Sequence, residues 1–273
     1  HNKLVPHILS MTATPIPRSL ALTLYGELDV SLLDAMPPGR KTIRTSLVLP
    51  TDRDELEKHI DMEITSGRQV YVVCPLIDEA SKIDSTSVET VYKRLSQKIF
   101  KHRSVGLLHG KLKPVEKNQM MQDFVNGKID ILVSTTVIEV GVNVPNASIM
   151  VIEGAERFGL AQMHQLRGRV GRSDDQAYCY LIPSENKSPT KRLRAFCRIN
   201  DGFKLAELDL ELRGPGAIYG KLQHGALDFR FASLSDHKLL RDTRLAVNEF
   251  AQYYSLNDYP ELKRRVRLAQ AII

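Results

Sequence analysis

Between residues 41 and 184, short runs of β-branched and other apolar residues alternate with longer amphipathic stretches. This alternation constrains the fold more than any other feature of the chain. The short runs have the length of buried strands, and the longer stretches carry apolar residues at helical spacing. Strands that alternate with helices form a mostly parallel sheet with helices packed on it, so we predict an α/β fold. The predicted strands are Ile43–Leu49, Gln69–Cys74, Ser104–Leu108, Ile129–Val133, Ser148–Ile152 and Ala177–Ile182. The predicted helices are Asp52–Thr65, Ser87–Phe100, Pro114–Asn126 and Gly159–Arg167.

The pattern changes on either side of this region, which predicts three parts. Residues 1–40 read as the tail of a preceding domain followed by a linker, residues 41–184 as the α/β domain, and residues 185–273 as an appended helical region. The first part contains a possible strand, Val5–Met11, and a possible helix, Pro17–Leu24. The last part contains helices predicted over Lys191–Arg198, Phe203–Leu210 and roughly residues 235–254. The polar stretch Asp78–Thr86 is predicted to be a loop outside the core.

Composition narrows the class of protein only slightly. The net charge of +6 permits a polyanionic partner such as nucleic acid but does not by itself indicate one. No apolar run approaches the roughly 20 residues needed to span a bilayer. The three cysteines are far apart and lack the spacing of a zinc site, so we expect them to be free in a reducing cytoplasm.

The most informative local sequence is Gln165-Leu-Arg-Gly-Arg-Val-Gly-Arg172. It places three arginines at the end of a short predicted helix, with Gly168 and Gly171 between them. Guanidinium groups suit bidentate contact with phosphate, and arginines aimed outward from a turn can neutralise charge on a transferring γ-phosphate. A solvated basic turn would explain one arginine more simply, but it does not explain the whole string.

This string resembles motif VI of the superfamily 2 helicases, which are ATP-driven nucleic-acid translocases. The resemblance implies a RecA-like motor domain in which Arg169 and Arg172 reach the phosphates of ATP and Gln165 lies beside them. It also implies ATP and Mg²⁺ as cofactors.

A second resemblance concerns residues near the start of the chain. Thr12-Ala13-Thr14, followed by Pro15, resembles helicase motif III, which couples the ATP state to the grip on DNA at the end of the first motor domain. The phosphate-binding lysine loop and the acidic metal-binding motif that precede motif III in the family do not occur here. We therefore expect the ligands of Mg²⁺ to lie outside this chain, and the chain alone to be inactive as an ATPase.

A third match lies at the end of a predicted strand. Thr135 and Thr136 offer hydroxyl groups at the carboxyl edge of the sheet, where α/β proteins bind ligands. Alone they would be read as capping the following turn. The surrounding sequence resembles motif V, which implies that the threonines hold the nucleic-acid backbone and that Gly141 and Asn143 touch the ribose of ATP. Asn143 stands where the family usually has aspartate; it can still hydrogen-bond a ribose hydroxyl but carries no charge.

His109 and Gly110 follow another predicted strand. From chemistry alone a capping or half-buried histidine fits as well as a functional one. The resemblance implies that this Leu-His-Gly turn contacts DNA phosphates.

Two further segments resemble the bacterial branch of the superfamily that moves on duplex DNA. They are Phe158-Gly-Leu-Ala-Gln162 and Asp209-Leu-Glu-Leu-Arg-Gly-Pro-Gly216 with Lys221-Leu-Gln-His-Gly225. The second segment resembles the branch's translocation motif, a helical hairpin and loop, and Arg213 and Gln223 match its arginine and glutamine. The alternative is a glycine-rich linker between helices.

Within that branch the chain resembles the branch-migration helicases. The predicted function is ATP-dependent remodelling of branched double-stranded DNA, such as stalled forks and Holliday junctions, in the bacterial cytoplasm. The expected partners are branched DNA and N-terminal motor and wedge domains that this chain does not contain. Two alternatives are a transcription-repair coupling translocase and a non-catalytic DNA-binding or docking module.

Overall fold

The computed structural model describes residues 8–9, 11–12, 31, 33, 35, 40–76, 87–135, 144–184, 188–213 and 237–270. By internal contacts the chain divides into two compact units. The first consists of His1–Thr14 and Ala35–Leu205, and the second of Pro15–Asp34 and Ala206–Ile273.

The first unit is built on a six-stranded sheet in which every described pair of neighbouring strands is parallel. The strand order is β1-β6-β5-β2-β4-β3. The strands are β1 Arg44–Leu47, β2 Gln69–Val73, β3 Val105–Leu108, β4 Ile131–Ser134, β5 Ala147–Glu153 and β6 Tyr178–Ile182. All six were predicted from the sequence to within about two residues at each end. This confirms the α/β fold with a parallel sheet.

The sheet forms because helices cover both of its faces. Every residue of β2, β4 and β5 is buried, as expected for central strands of a parallel sheet. On one face Val70, Val72 and Ile131 pack with apolar residues of α1 and α2. On the other face the Tyr71 ring lies 4.8 Å from the ring of Phe124 in α3. The helices of this unit are α1 Arg53–Thr65, α2 Val88–Arg94, α3 Pro114–Val125, α4 Leu160–Arg167 and α5 Lys191–Arg198.

Local signals explain where two of these helices begin. Pro114 is the first residue of α3, where its missing N–H costs nothing. The Glu116 carboxylate accepts a hydrogen bond from the backbone N–H of Lys113 at 3.0 Å. Helix α2 is capped by the Ser87 hydroxyl, which accepts from the N–H of Thr90. It continues as a π-helical turn over Leu95–Ile99, so the predicted helix Ser87–Phe100 is present but not α-helical throughout.

Helix α6 Gly202–Arg213 crosses the division between the two units, and the second unit contains α7 His237–Tyr253 and α8 Pro260–Gln270. Helices α6 and α7 were predicted, whereas α8 was not. In this unit the Phe250 ring lies 5.5 Å from that of Tyr254 and 5.3 Å from that of Tyr259, which joins the end of α7 to the segment before α8. None of the helices within the described ranges is long and apolar enough to cross a membrane.

One predicted element is wrong where it can be checked. The strand predicted over Val5–Met11 is not present at Ile8, Leu9 or Met11, whose side chains are exposed. A strand requires a neighbour for its backbone hydrogen bonds, and none of the described strands pairs with these residues. The predicted helix Pro17–Leu24 and the predicted loop Asp78–Thr86 lie outside the described residues.

Candidate nucleotide and nucleic-acid site

The carboxyl edge of the sheet brings together two segments that the sequence predicted to contact nucleic acid. Strands β3 and β4 are neighbours, and Leu108 pairs with Ser134 at their ends. The N–H of Thr135 then donates to the carbonyl of Leu108 at 3.2 Å. Because β3 and β4 end at the same point, the residues that follow them, His109 and Thr135, lie side by side.

Thr135 places a hydroxyl group directly after β4. The residue is buried, yet its Oγ1 has no hydrogen-bond partner within the described part of the chain, and the same holds for the Oγ of Ser134. A buried hydroxyl without a partner costs about 1–3 kcal/mol. Such a cost at the edge of a sheet is typical of a group that bonds a ligand.

The His109 ring is oriented by its own turn. Its Nδ1 accepts a hydrogen bond from the backbone N–H of Lys111 at 3.3 Å, so in the neutral ring the proton is on Nε2. The ring is half-buried, which leaves Nε2–H as a donor at the sheet edge. The ammonium group of Lys117 donates to the carbonyl of Gly110 at 2.8 Å and fixes the turn from the other side. His109 therefore accepts a hydrogen bond within its own turn through Nδ1 and can still donate one through Nε2.

The turn after α4 has the shape required to present the predicted arginines. Gly171 has φ +70°, and a Cβ there would lie 3.0 Å from the Cβ of Ala177 and 3.2 Å from the Cγ1 of Ile43. Glycine is therefore needed at this position both for backbone conformation and for space. Gly168 differs, because it has ordinary right-handed helical angles and only ordinary contacts around the missing Cβ. Of the two glycines between the arginines, only Gly171 is required by the conformation of the turn.

Arg40 holds this turn in place. Its Nε donates to the carbonyl of Gly171 at 2.9 Å, and one terminal nitrogen donates to the carbonyl of Val170 at 3.3 Å. Local sequence gives no sign of this role, because Arg40 lies about 130 residues earlier in the chain. Two donors from one guanidinium make the turn a fixed platform.

On this platform Arg169 is half-buried and Arg172 is exposed, while Gln165 on the last turn of α4 is half-buried. Both arginines act electrostatically on the buried Tyr71. Burial raises the pKa of its phenol to about 12, and the positive charges of Arg169 and Arg172 oppose that rise. Both guanidinium groups therefore lie within electrostatic range of Tyr71, whose ring packs against Phe124 of α3.

Arg167 has a different role from the other two arginines. Its side chain is almost completely buried, with 3% exposure, so the prediction that all three are aimed outward is wrong for this residue. One terminal nitrogen donates to the carbonyl oxygens of Phe196 at 3.3 Å and Ile199 at 3.0 Å, and the other donates to that of Asn200 at 3.2 Å. The guanidinium also lies 4.3 Å from the centre of the Phe196 ring. Arg167 thus closes the carboxyl end of α5, where helix carbonyls otherwise have no donor.

His164 completes this buried contact. Its Nδ1 lies 3.1 Å from a terminal nitrogen of Arg167, which can only donate, so the imidazole accepts there. Burial, and after it the charge of Arg167, lower the pKa of His164 to about 4. The ring is therefore neutral at pH 7.

A second buried charge network was not anticipated. Glu153 ends β5, and its carboxylate accepts two hydrogen bonds from Arg53, at 3.1 and 3.0 Å, and one from Arg94 at 2.9 Å. Arg94 also pairs with Glu57 at 3.4 Å. Burial, opposed by Arg94, raises the pKa of Glu57. This network ties α1 and α2 to the carboxyl end of β5.

Several predicted site residues cannot be placed. Thr136, Gly141, Asn143, Ala13, Thr14 and Gln223 lie outside the described residues. Thr12 is exposed, and Arg213 is the last residue of α6, of which only the backbone is described. Within the described ranges, no group of three or more His, Cys, Asp or Glu residues is arranged to hold a metal ion.

A parallel sheet with hydroxyl and imidazole groups at its carboxyl edge, flanked by a rigid arginine turn, defines a RecA-like helicase motor domain. The family model "Helicase conserved C-terminal domain" matches residues 52–174, and the model "ATP-dependent DNA helicase RecG, domain 3, C-terminal" matches residues 199–266. The chain is 48% identical to the RecG helicase of Synechocystis sp. over 97% of its own length, and 51% identical to that of Bacillus subtilis over 88%. It belongs to the RecG family.

A solved structure of RecG bound to a three-way DNA junction has the same fold. It is 49% identical to this chain and superposes with a TM-score of 0.65 over 84% of the chain. The match favours the RecG helicases over the coupling translocases that the sequence left open. The chain spans 32% of the Synechocystis relative and 35% of the Bacillus relative, and 30% of the solved RecG chain.

Proposed function

We propose that this chain is part of an ATP-dependent double-stranded DNA translocase that remodels branched DNA, including stalled forks and Holliday junctions, in recombination and repair. The observation that carries the proposal is the RecG match over 97% of the chain. The structure bound to a three-way junction supports branched DNA as the partner. We place this activity in the bacterial cytoplasm.

In the proposed ATP site, Arg169 and Arg172 neutralise charge on the phosphates, and Gln165 lies beside them. Support comes from the turn itself, which Arg40 fixes by two hydrogen bonds and which leaves Arg172 exposed. Electrostatic stabilisation requires donors that need no rearrangement when charge develops. Gly141 and Asn143 are assigned to the ribose. The ligands of Mg²⁺, which shields the phosphates, are assigned to a motor domain outside this chain.

In the proposed DNA track, His109, Gly110, Thr135 and Thr136 bind backbone phosphates at the carboxyl edge of the sheet. The Thr135 hydroxyl, which has no partner among the described residues, and the Nε2–H of half-buried His109 support this assignment, because both are donors of the kind that bind phosphate oxygens. Arg213 and Gln223 are assigned to the translocation motif on the basis of the family resemblance. Thr12, Ala13 and Thr14 are assigned to coupling between the ATP state and the DNA grip.

The arginine assignment is tested by replacing Arg172 with alanine in the full-length protein. Loss of an arginine finger lowers turnover by about 10³–10⁵-fold. We expect ATP turnover to fall by at least about 10³-fold while the dissociation constant for duplex DNA stays within about twofold. The control is Lys58→Ala, which removes one exposed cation from α1, on the opposite face of the sheet. Turnover that survives Arg172→Ala within tenfold would remove Arg172 from the ATP site.

The isolated 273-residue chain is a second test. It contains no phosphate-binding lysine loop, so we expect no ATP hydrolysis above background with or without DNA. Measurable hydrolysis would contradict the assignment of the lysine loop and the Mg²⁺ ligands to another domain.

A further inference from the structure

Helix α5 has positively charged side chains on its exposed face, and these charges do not stabilise the helix. The helix reads Lys-Arg-Leu-Arg-Ala-Phe-Cys-Arg and contains no acidic residue. Leu193 and Phe196 are buried against the first unit. Lys191, Arg194 and Arg198 are exposed. Their spacing of three and four residues places them in one row on the helix surface.

We call this row the α5 stripe (Lys191, Arg194, Arg198). Its charges are unfavourable for the stability of the helix in two ways. Like charges three or four residues apart repel each other. Lys191 is the first residue of the helix, where the backbone dipole disfavours a positive charge. An arrangement that works against local stability without a compensating contact indicates a functional demand.

Within the described residues, no carboxylate is paired with the stripe. Within the described ranges its three residues form no ion pair or side-chain hydrogen bond, whereas Arg192 on the same helix donates to the carbonyl of Glu156 at 2.6 Å. The nearest acidic residue along the chain, Asp201, is engaged in capping α6, where its carboxylate accepts from the backbone N–H of Phe203 at 2.8 Å. By contrast, the half-buried Arg53, Arg94 and Arg103 of this unit are each paired with a carboxylate.

We infer that the α5 stripe binds backbone phosphates of duplex DNA, as a contact separate from the hydroxyl and imidazole groups at the sheet edge. The inference rests on the proposed function for its ligand. Lys191 and Arg198 are separated by about 10 Å along the helix axis. One strand of B-DNA presents roughly three phosphates over that length, since they recur about every 3.4 Å along the duplex axis. The stripe therefore supplies one cation per phosphate.

The test is the salt dependence of duplex binding by the full-length protein with Lys191→Gln, Arg194→Gln and Arg198→Gln combined. Each phosphate contact contributes about −0.9 to the slope of log K against log salt concentration. We expect the triple variant to have a slope shallower by roughly 2 to 3, and at least about tenfold weaker binding at 0.1 M salt. Its melting temperature should be equal to or higher than that of the parent, because repelling charges have been removed.

The matched control removes three exposed lysines from the other side of the sheet, Lys58→Gln, Lys93→Gln and Lys98→Gln. This control changes the net charge by the same amount. If the slope of log K against log salt concentration became equally shallow in both variants, the effect would come from overall charge and the inference would be overturned. An unchanged slope in the stripe variant would also overturn it and would point to an acidic protein surface as the ligand. A parent protein that fails to bind duplex DNA would instead refute the proposed function.

Discussion

The three arginines of the α4 turn differ in burial, so their replacement should change the free energy of unfolding by different amounts. Arg167→Met keeps an unbranched side chain of similar reach but removes every donor. Three backbone carbonyls, of Phe196, Ile199 and Asn200, then lose their partner inside the domain.

The size of the effect follows from those contacts. Leaving the buried carbonyl of Phe196 without a partner costs about 1–3 kcal/mol, whereas the carbonyls of half-buried Ile199 and exposed Asn200 can bond water and cost less. Loss of the contact between the guanidinium and the Phe196 ring adds about 0.5–2 kcal/mol. We therefore expect Arg167→Met to lower the free energy of unfolding by about 2–5 kcal/mol, near the upper end for single substitutions.

Urea unfolding followed by circular dichroism measures this loss, with Arg169→Met as the matched control. Arg169 is only half-buried, so its replacement should cost less than about 1 kcal/mol in stability although it removes an equal charge. Arg167→Lys should fall between the two, because an ammonium group retains the charge but cannot reach three carbonyls with a planar fork. Equal stability losses at Arg167 and Arg169, or a loss below about 1 kcal/mol at Arg167, would refute the structural role.

Three further predictions concern the same domain. Because the pKa of His164 is lowered from 6.5 to about 4 in the folded chain, only the unfolded chain takes up this proton between those values. Stability should be lost as the pH falls from 6.5 towards 4, and His164→Gln should show a shallower loss in unfolding series at several pH values; identical pH dependence would contradict it. Gly171→Ala should lower the melting temperature more than Gly67→Ala, because both positions have positive φ but only the first lacks space for a Cβ; equal shifts would show that crowding is unimportant. Glu153→Gln should lower the free energy of unfolding, measured in urea, by about 2–4 kcal/mol because it leaves Arg53 without its charged partner. An unchanged free energy of unfolding would mean that this network contributes little.

The strands of the sheet could be predicted because each corresponds to a short run of residues with a recognisable local pattern. Runs such as Gln69–Cys74 and Ser104–Leu108 are apolar, β-branched and bounded by polar turns, and each forms a strand within two residues of its predicted bounds. The π-helical turn at Leu95–Ile99 could not be predicted, since no residue pattern there separates it from an ordinary helix.

The candidate site was predictable in composition but not in arrangement. Sequence spacing placed three arginines on one turn, yet it could not show that Arg167 reaches carbonyls about 30 residues further along the chain. The same limit applies to Arg40, whose contact with Gly171 spans 131 residues. A side chain's partners depend on tertiary packing, and local pattern does not encode them.

One measurement tests directly whether the full-length protein acts on branched DNA, as we propose. ATP turnover by the full-length protein is compared on a model fork and on a linear duplex of equal length, at the same salt concentration. We expect strong stimulation by the fork and weak stimulation by the linear duplex. Similar turnover on both substrates would contradict branch remodelling and would favour a translocase that works along unbranched duplex.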